Sequence, residues 1–250
     1  MLEATLSACI NGRIGHPVHA FQCVGSTMEI AHALAQEGAP EGTLVWAVRQ
    51  EQGRGRLGRL WTSPEGGAYF SLILCPQRPA AEHPQLSLVA GLSTAQAIQE
   101  LTGLFPAIRW PNDVLIDNKK VAGILIESRV SDYVVIGIGI NVTIDRGELP
   151  EGATSLAASS SPAPDPCRLT GVLCRHLETW YDAWTSKGFA PIREALRPWM
   201  GHFGQPVHIT AGSHRFEGTA SDLDECGRLL VRLDSGLIRP FEVGEVTLLR

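Results

Sequence analysis

Lysine is close to absent from this chain. Lys119, Lys120 and Lys187 are the only three in 250 residues, so arginine carries nearly all of the positive charge. No apolar run approaches the roughly 20 residues needed to cross a bilayer, and the N-terminus lacks a signal-peptide pattern. The expectation is a cytoplasmic protein with no membrane partner. Six cysteines (Cys9, Cys23, Cys75, Cys167, Cys174, Cys226) are scattered without C-x-x-C spacing, which excludes a disulfide frame or zinc site and reads as buried free thiols. The eight histidines form neither H-x-x-E-H nor H-E-x-x-H, so no structural metal is expected. A magnesium ion travelling with a nucleotide would leave no such pattern. A net charge of −5 and a pI near 5.9 argue against a general nucleic-acid binder, which would show a broad basic face.

What is present is a normal globular composition, 44% hydrophobic and 19% charged, in a length suited to one large domain or a main domain plus a small one. Against that background Gln50–Trp61 stands out. Arg54, Arg56 and Arg59 alternate with Gly53, Gly55 and Gly58 directly after the apolar run 43–48. Glycine lets backbone approach a ligand closely, and each guanidinium offers a planar fork of donors to carboxylate or phosphate. The glycines also spell G-x-G-x-x-G, but a dinucleotide turn needs a helix to start there, and Pro64, Gly66 and Gly67 would stop one before its second turn. A loop that grips a phosphate-bearing ligand, and orders on binding it, is weighed against a solvated basic hairpin with no ligand.

Residues 27–37 are predicted helical, with Ser26 or Thr27 as N-cap and Gly38 as stop. Strands are predicted at 43–49 and 68–75, and a long helix at 84–101. Short strands at 108–110, 114–116, 121–125 and 133–140 are separated by tight turns, so they must be antiparallel neighbours. Residues 145–168 are predicted to loop over the surface, and helices are expected at 166–186 and 189–199. Beyond Gly204, runs at 207–210, 215–222, 229–233, 237–239 and 246–249 alternate apolar and polar, the pattern of a small barrel. The fold class is α+β: a mixed sheet with helices on one side over 1–203, then a small all-β domain over 204–250.

Two further segments carry candidate chemistry. Arg109–Trp110–Pro111–Asn112–Asp113 is followed by Lys119–Lys120 at the tip of a hairpin. The lysines are either a solvated pair or, for Lys120, an ammonium presented along the sheet surface. Asn112 and Asp113 favour the second, because a donor–acceptor pair and a carboxylate at a strand end suit a ribose, a magnesium ion or an amine nucleophile. In Val134–Asn141, Gly137 and Gly139 alternate with β-branched residues, leaving one face without side chains. Such glycines mark close approach of a ligand or of other backbone, and packing against a helix explains them equally well. Asn141 ends the strand as a hydrogen-bonding group.

These segments together resemble biotin protein ligases. Gly25–Ser26–Thr27, Gly53–Arg54–Gly55–Arg56–Leu57–Gly58–Arg59–Leu60–Trp61, Arg109–Trp110–Pro111–Asn112–Asp113, Lys120–Val121–Ala122–Gly123–Ile124–Leu125, Gly139–Ile140–Asn141 and Ala153–Thr154–Ser155–Leu156 stand in that family's order and spacing, from about residue 20 to the C-terminus. The resemblance implies a biotin/lipoate ligase-like catalytic domain followed by an SH3-like domain. It implies adenylation of biotin by Mg-ATP, then transfer to a lysine of a biotin carboxyl carrier protein or domain. Ser26, Thr27, Met28, Gln50, Gly53, Arg54, Gly55, Arg56, Trp61 and Lys120 would bind biotin, with Ser26, Thr27, Gln50 and Arg54 on the ureido ring and Trp61 covering the site. Arg56, Arg59, Asn112, Lys120 and Asn141 would meet ATP. Lys120 and Arg56 would be catalytic, with Asp113 a candidate for orienting the incoming amine. Met28 departs from the family's usual Asn and Arg109 from its usual Lys. Only about 20 residues precede the catalytic domain, too few for the winged helix of the family's repressors, so no DNA partner is expected. A homodimer is a possible assembly on which the sequence is silent. A ligase for lipoate or octanoate is the nearest rival. A regulator or biotin sensor lacks a DNA-reading helix, and an octanoyltransferase would need a cysteine nucleophile that Cys167 and Cys174 are poorly placed to supply.

Overall fold

A computed structural model describes residues 1–129, 132–212, 214–242 and 244–248. In chain order the elements are α1 (Leu2–Cys9), β1 (Val18–Val24), α2 (Thr27–Gln36), β2 (Leu44–Gln50), β3 (Gly67–Leu74), α3 (Leu86–Thr102), β4 (Ala107–Arg109), β5 (Asp113–Ile116), β6 (Lys119–Glu127) and β7 (Val134–Asn141). Then come α4 (Pro166–Lys187), α5 (Ala190–Leu196), β8 (Pro206–Ala211), β9 (His214–Leu223), β10 (Leu229–Leu233), β11 (Ile238–Phe241) and β12 (Glu245–Leu248). The strand expected over 246–249 is β12, with Leu249 outside the described residues.

β1 to β7 form one sheet in the order β1-β2-β3-β7-β6-β5-β4. β1 and β2 run parallel, joined by the crossover that such a pair requires, and α2 is that crossover. Every other ladder in the sheet is antiparallel, including the β4–β7 meander expected from the short turns. Alternation then sorts the side chains. Leu44, Trp46, Phe70, Leu72, Ile136 and Ile138 face a core shared with α1, α3 and α4. Val45, Ile73 and Val135 face the other way, onto Met28 and Ala31 of α2. The main helical layer thus lies on one side, and α2 covers part of the opposite face. α3 is buried almost all round because it lies between the sheet and α4.

α1 and β1 lie outside the elements read from the sequence. α1 seats against α4 at Gly171, where a Cβ would stand 2.0 Å from the Cys9 carbonyl oxygen. All six cysteines are free. Cys167 and Cys174 are buried as expected, whereas Cys226 is exposed and the other three are partly so. Among the described residues no helix is long and apolar enough to cross a membrane.

The C-terminal strands form a second, antiparallel sheet in the order β11-β10-β9-β8-β12. Among the described residues no ladder joins β11 to β12, so the barrel is open there. Its β9–β10 turn docks on the first domain. Trp110 Nε1 donates to the Gly227 carbonyl at 3.0 Å, and Arg193 and Arg197 both donate to Asp222 Oδ2, at 2.6 and 2.8 Å.

His202, at the junction of the two sheets, is buried, and burial followed by the nearby Arg109 charge pushes its imidazole down to about 4. The folded state therefore holds fewer protons than the unfolded chain between pH 6.5 and 4. Stability unaffected above pH 6.5 should fall as pH drops through that window, by about 3 kcal/mol in total from this group. Urea unfolding from pH 7.5 to 4 should show His202→Phe losing less stability than the wild type. Parallel pH profiles would remove His202 as the cause.

Candidate active site

The Gly/Arg segment folds as a two-stranded ribbon. Trp61 N–H donates to the Gly53 carbonyl at 2.9 Å and Gly55 N–H to the Arg59 carbonyl at 2.8 Å, with a single 3-10 turn at 56–58. No helix starts here, so the dinucleotide reading fails on geometry as it did on sequence. Glycine is required at 53, where a Cβ would meet the Trp61 carbonyl oxygen at 2.3 Å.

The ribbon folds down on the sheet. Gly123 of β6 and Gly139 of β7 are cross-strand partners, and the Trp61 indole lies over both. A Cβ at 139 would be 2.4 Å from Trp61 Nε1, and one at 123 would be 2.8 Å from its Cζ3. Met28 uses Gly137 in the same way, its Sδ 2.5 Å from where a Cβ would be. The side-chain-free face expected from Gly137 and Gly139 therefore exists, and it continues onto Gly123. In this structure a tryptophan and a thioether occupy it, leaving a cavity of about 50 Å³.

Around that cavity the structure brings together Thr27, Met28, Gln50, Arg54, Gly55, Arg56, Trp61, Asn112 and Lys120. Phe70, Ile124, Leu125 and Ile138 also border it and were not singled out as site residues. Leu125 shares the α2 side of the sheet, whereas strand alternation turns Phe70, Ile124 and Ile138 toward the main core and so gives no signal of the cavity. Gln50 Oε1 accepts from both the Thr27 N–H at 2.8 Å and its hydroxyl at 3.0 Å, while Gln50 Nε2 donates to Ser63 Oγ at 2.9 Å. Gln50 thereby satisfies an N-terminal donor of α2. Ser26 holds the N-cap position, but its side chain makes no cap bond, and its buried Oγ has no hydrogen-bond partner among the described residues. Trp61 Nε1 is buried and unpartnered likewise. An unmet buried polar atom costs about 1–3 kcal/mol, so both suit a polar ligand.

The charged groups are arranged in pairs. Lys120 Nζ sits 2.6 Å from Asp113 Oδ1 and 5.1 Å from the Trp61 ring centroid. Asp113 Oδ2 takes Arg109 Nη2 at 2.7 Å. Arg56 Nη1 donates to Asn112 Oδ1 at 2.8 Å, and Asn112 Nδ2 is anchored on the Ile124 carbonyl at 3.0 Å. Arg54 is held by Glu29 and Glu127. Ser26, Gly53, Arg59, Asp113 and Asn141 do not line the cavity itself. Asn141 is buried and donates to the Thr154 carbonyl at 3.0 Å, fixing the 153–156 segment beside Lys120. Arg59 belongs to the ribbon's far strand. Among the described residues no group of three or more His, Cys, Asp or Glu is placed to hold a metal ion.

A domain of this class, with a cation-bearing ribbon closing on a glycine-floored sheet, matches the biotin/lipoate A/B protein ligase family over residues 20–141 and the biotin protein ligase C-terminal domain over 202–249. The chain is 38% identical over 223 residues to the bifunctional ligase/repressor BirA of Bacillus subtilis, covering 86% of this chain and 69% of that protein. It is 36% identical over 205 residues to the biotin–[acetyl-CoA-carboxylase] ligase of Paracoccus denitrificans, covering 77% and 85%. The biotin protein ligase of Aquifex aeolicus, solved in complex with biotin and ATP, superposes with a TM-score of 0.83 at 33% identity, over 94% of this chain and 99% of that one. This chain belongs to the biotin protein ligase family.

Gly139→Ala should unseat Trp61, because a methyl group cannot share the space 2.4 Å from its Nε1. Trypsin cleavage after Arg54, Arg56 or Arg59 should then be several-fold faster, while global stability stays within about 1 kcal/mol of wild type. Unchanged cleavage would mean that Trp61 does not depend on this floor.

Proposed function

We infer that the protein is an ATP-dependent biotin protein ligase, which activates biotin as biotinoyl-5′-AMP and then transfers it to a specific lysine of a biotin carboxyl carrier protein or domain. The observation that carries this reading is the convergence of Lys120 and Arg56 on a cavity floored by backbone, in a chain of this family.

In the first half-reaction a carboxylate oxygen of biotin bonds to the α-phosphorus of ATP, and the bond to the pyrophosphate leaving group breaks. Two anions must meet, so the barrier is charge repulsion and charge growth at phosphorus. Preplaced cations oppose both, and one such contact is typically worth about 3 kcal/mol. Lys120 and Arg56 are those cations, with Asn112 accepting from the Arg56 guanidinium. Asp113 keeps the Lys120 ammonium within 2.6 Å and over the cavity until an incoming anion shares it. Thr27 and Gln50 offer a joined set of donors and acceptors to a urea-like ring, and Ser26 Oγ adds one more. In the second half-reaction a lysine nitrogen attacks the acyl carbon, AMP leaves, and the amine gives up a proton. Asp113 is the carboxylate nearest the Lys120 end of the cavity and is our candidate for orienting that amine. Arg59 and Asn141 are assigned to the ATP side with Asn112. Mg²⁺ bound with ATP would supply further charge neutralisation on the triphosphate. The oxygens of Asn112 and Asp113 already accept from Arg56, Lys120 and Arg109, so phosphate oxygens and water would hold the ion.

The catalytic domain is taken as 1–203 and the SH3-like domain as 204–250. Six free cysteines fit a reducing, cytoplasmic compartment. A net charge of −5 favours no general nucleic-acid partner.

Exchange of labelled pyrophosphate into ATP with Mg²⁺ should require biotin and not respond to lipoate or octanoate. Exchange with lipoate would reassign the substrate, and none with any acid would leave a sensor or inactive relative. Lys120→Ala should lower the exchange rate at least about 100-fold. Near-wild-type exchange would strip Lys120 of its role.

A further inference from the structure

Arg54 lines the cavity, yet its guanidinium is spent on two carboxylates. Nη2 donates to Glu127 Oε1 at 2.7 Å and Nη1 to Glu29 Oε1. Glu29 belongs to the first turn of α2 and Glu127 is the last residue of β6, so this one side chain ties the ribbon to both walls of the α2 side of the sheet. Behind Glu127 stands a fully buried side chain. His32 Nε2 lies 3.2 Å from Glu127 Oε2, and His32 Nδ1 lies 3.3 Å from the Tyr133 hydroxyl. Burial first, and the Arg129 charge second, push the His32 imidazole below its ordinary value, so the ring is neutral near pH 7. Facing a carboxylate, the neutral ring carries its proton on Nε2 and donates it to Glu127, and Nδ1 accepts from Tyr133. Arg129 completes the set by donating to both oxygens of Glu29, at 2.7 and 2.9 Å.

The backbone bonds of the 53–61 ribbon are largely internal, Gly55 to Arg59 and Gly53 to Trp61, and Leu57 and Leu60 project into solvent. Its position over the sheet therefore depends on side chains that reach sideways. We propose that Glu127 is a positioning residue for binding of the acid substrate, holding Arg54 and with it the 53–61 ribbon over the cavity, while His32 orients Glu127 from the core. The proposal rests on the ligase reading for the identity of that acid. Lys120 is held by Asp113, outside this network, and Arg56, although it rides on the ribbon, has its own anchor across the cavity in Asn112, so substrate that brings the ribbon down restores both. Losing the anchor lowers the fraction of protein with the ribbon in place, which weakens apparent affinity by that fraction and leaves the saturated enzyme as it was.

The test measures pyrophosphate exchange and tryptic cleavage of the ribbon in wild type, Glu127→Gln, Arg54→Ala and the double variant. Glu127→Gln should raise the biotin KM about tenfold and leave kcat, and the ATP KM read at saturating biotin, within twofold. Tryptic cleavage at Arg56 and Arg59 should be faster without biotin and slow toward the wild-type rate at saturating biotin. The double variant should be no worse than the poorer single one, because both remove the same link. Glu29→Gln, at a half-exposed position, should show the same split at about threefold, and it stands in should Glu127→Gln fail to fold. Unchanged biotin KM and cleavage, a fall in kcat with KM constant, or additive effects would each overturn the proposal. A wild type that exchanges with no biotin would sink the ligase reading instead, and the cleavage rates would still decide whether Glu127 anchors the ribbon.

Discussion

Gly123, Gly137 and Gly139 leave a stretch of β6 and β7 with bare backbone on one face, and the rest of the site is arranged around that bareness. Each glycine in a strand costs about 0.5–1 kcal/mol relative to alanine. The cost is met on the other face and along the same strands, where Val134, Ile136, Ile140 and Ala122 are completely buried. A sheet surface within reach of a flat ring is what that buys. The Trp61 indole and the Met28 thioether both lie on it, closer than any Cβ would permit. A ring-shaped ligand could take the same position only if the indole or the thioether gave way.

Charge is handled by the same economy. Around the cavity the cations meet oxygen partners: Lys120 and Arg109 with Asp113, Arg54 with Glu29 and Glu127, Arg56 with Asn112. Partly exposed pairs of this sort add little stability, about 0–1 kcal/mol each. Their value lies in geometry. An ammonium tethered to a carboxylate stays at the site, and an incoming carboxylate or phosphate can share it at little cost because the tether was never strong. A deeply buried pair would have resisted that exchange.

Much of this was legible in the sequence, and what was not has physical reasons. Long or strictly patterned elements (α2, α3, α4, β2, β3 and the β4–β7 meander) follow from periodicity and turn residues within a residue or two. α1 is eight residues long, with Leu6 its one buried side chain, and it is held by a contact with Gly171 that no local pattern reveals. β1 is an edge strand, nowhere fully buried, so its alternation is diluted by His19, Gln22 and Cys23. In the site, the glycine-and-arginine segment announced an anion-facing loop, but not which arginine turns where. Arg54 and Arg56 share one face by spacing. They part because Glu29 and Glu127 lie toward α2 and Asn112 lies across the cavity. His32 was invisible as a site residue, because nothing in the Thr27–Gln36 sequence separates a buried imidazole from the helix's other polar side chains.

Lys120 shows best how a small irregularity turns a strand into a site. Strict alternation along β6 would put it on the same face as Ala122 and Ile124, which point into the core. The β5–β6 ladder shifts register at this point: Val114 pairs with Ala122 and Leu115 with Lys120, leaving Val121 as the extra residue of a bulge. Val121 and Ala122 consequently both join the core, and Lys120 comes out on the cavity face three residues before Gly123. Its Cε would be 3.0 Å from a Cβ at that glycine, so its chain too lies over bare backbone. The backbone is pinned there from outside the hairpin, Lys120 N–H to the Gly152 carbonyl and Thr154 N–H to the Lys120 carbonyl, both at 2.9 Å. Without the bulge the ammonium would be driven into apolar packing at a cost of several kcal/mol. The 152–154 segment, itself fastened by Asn141, therefore positions the Lys120 backbone although none of its side chains lines the cavity.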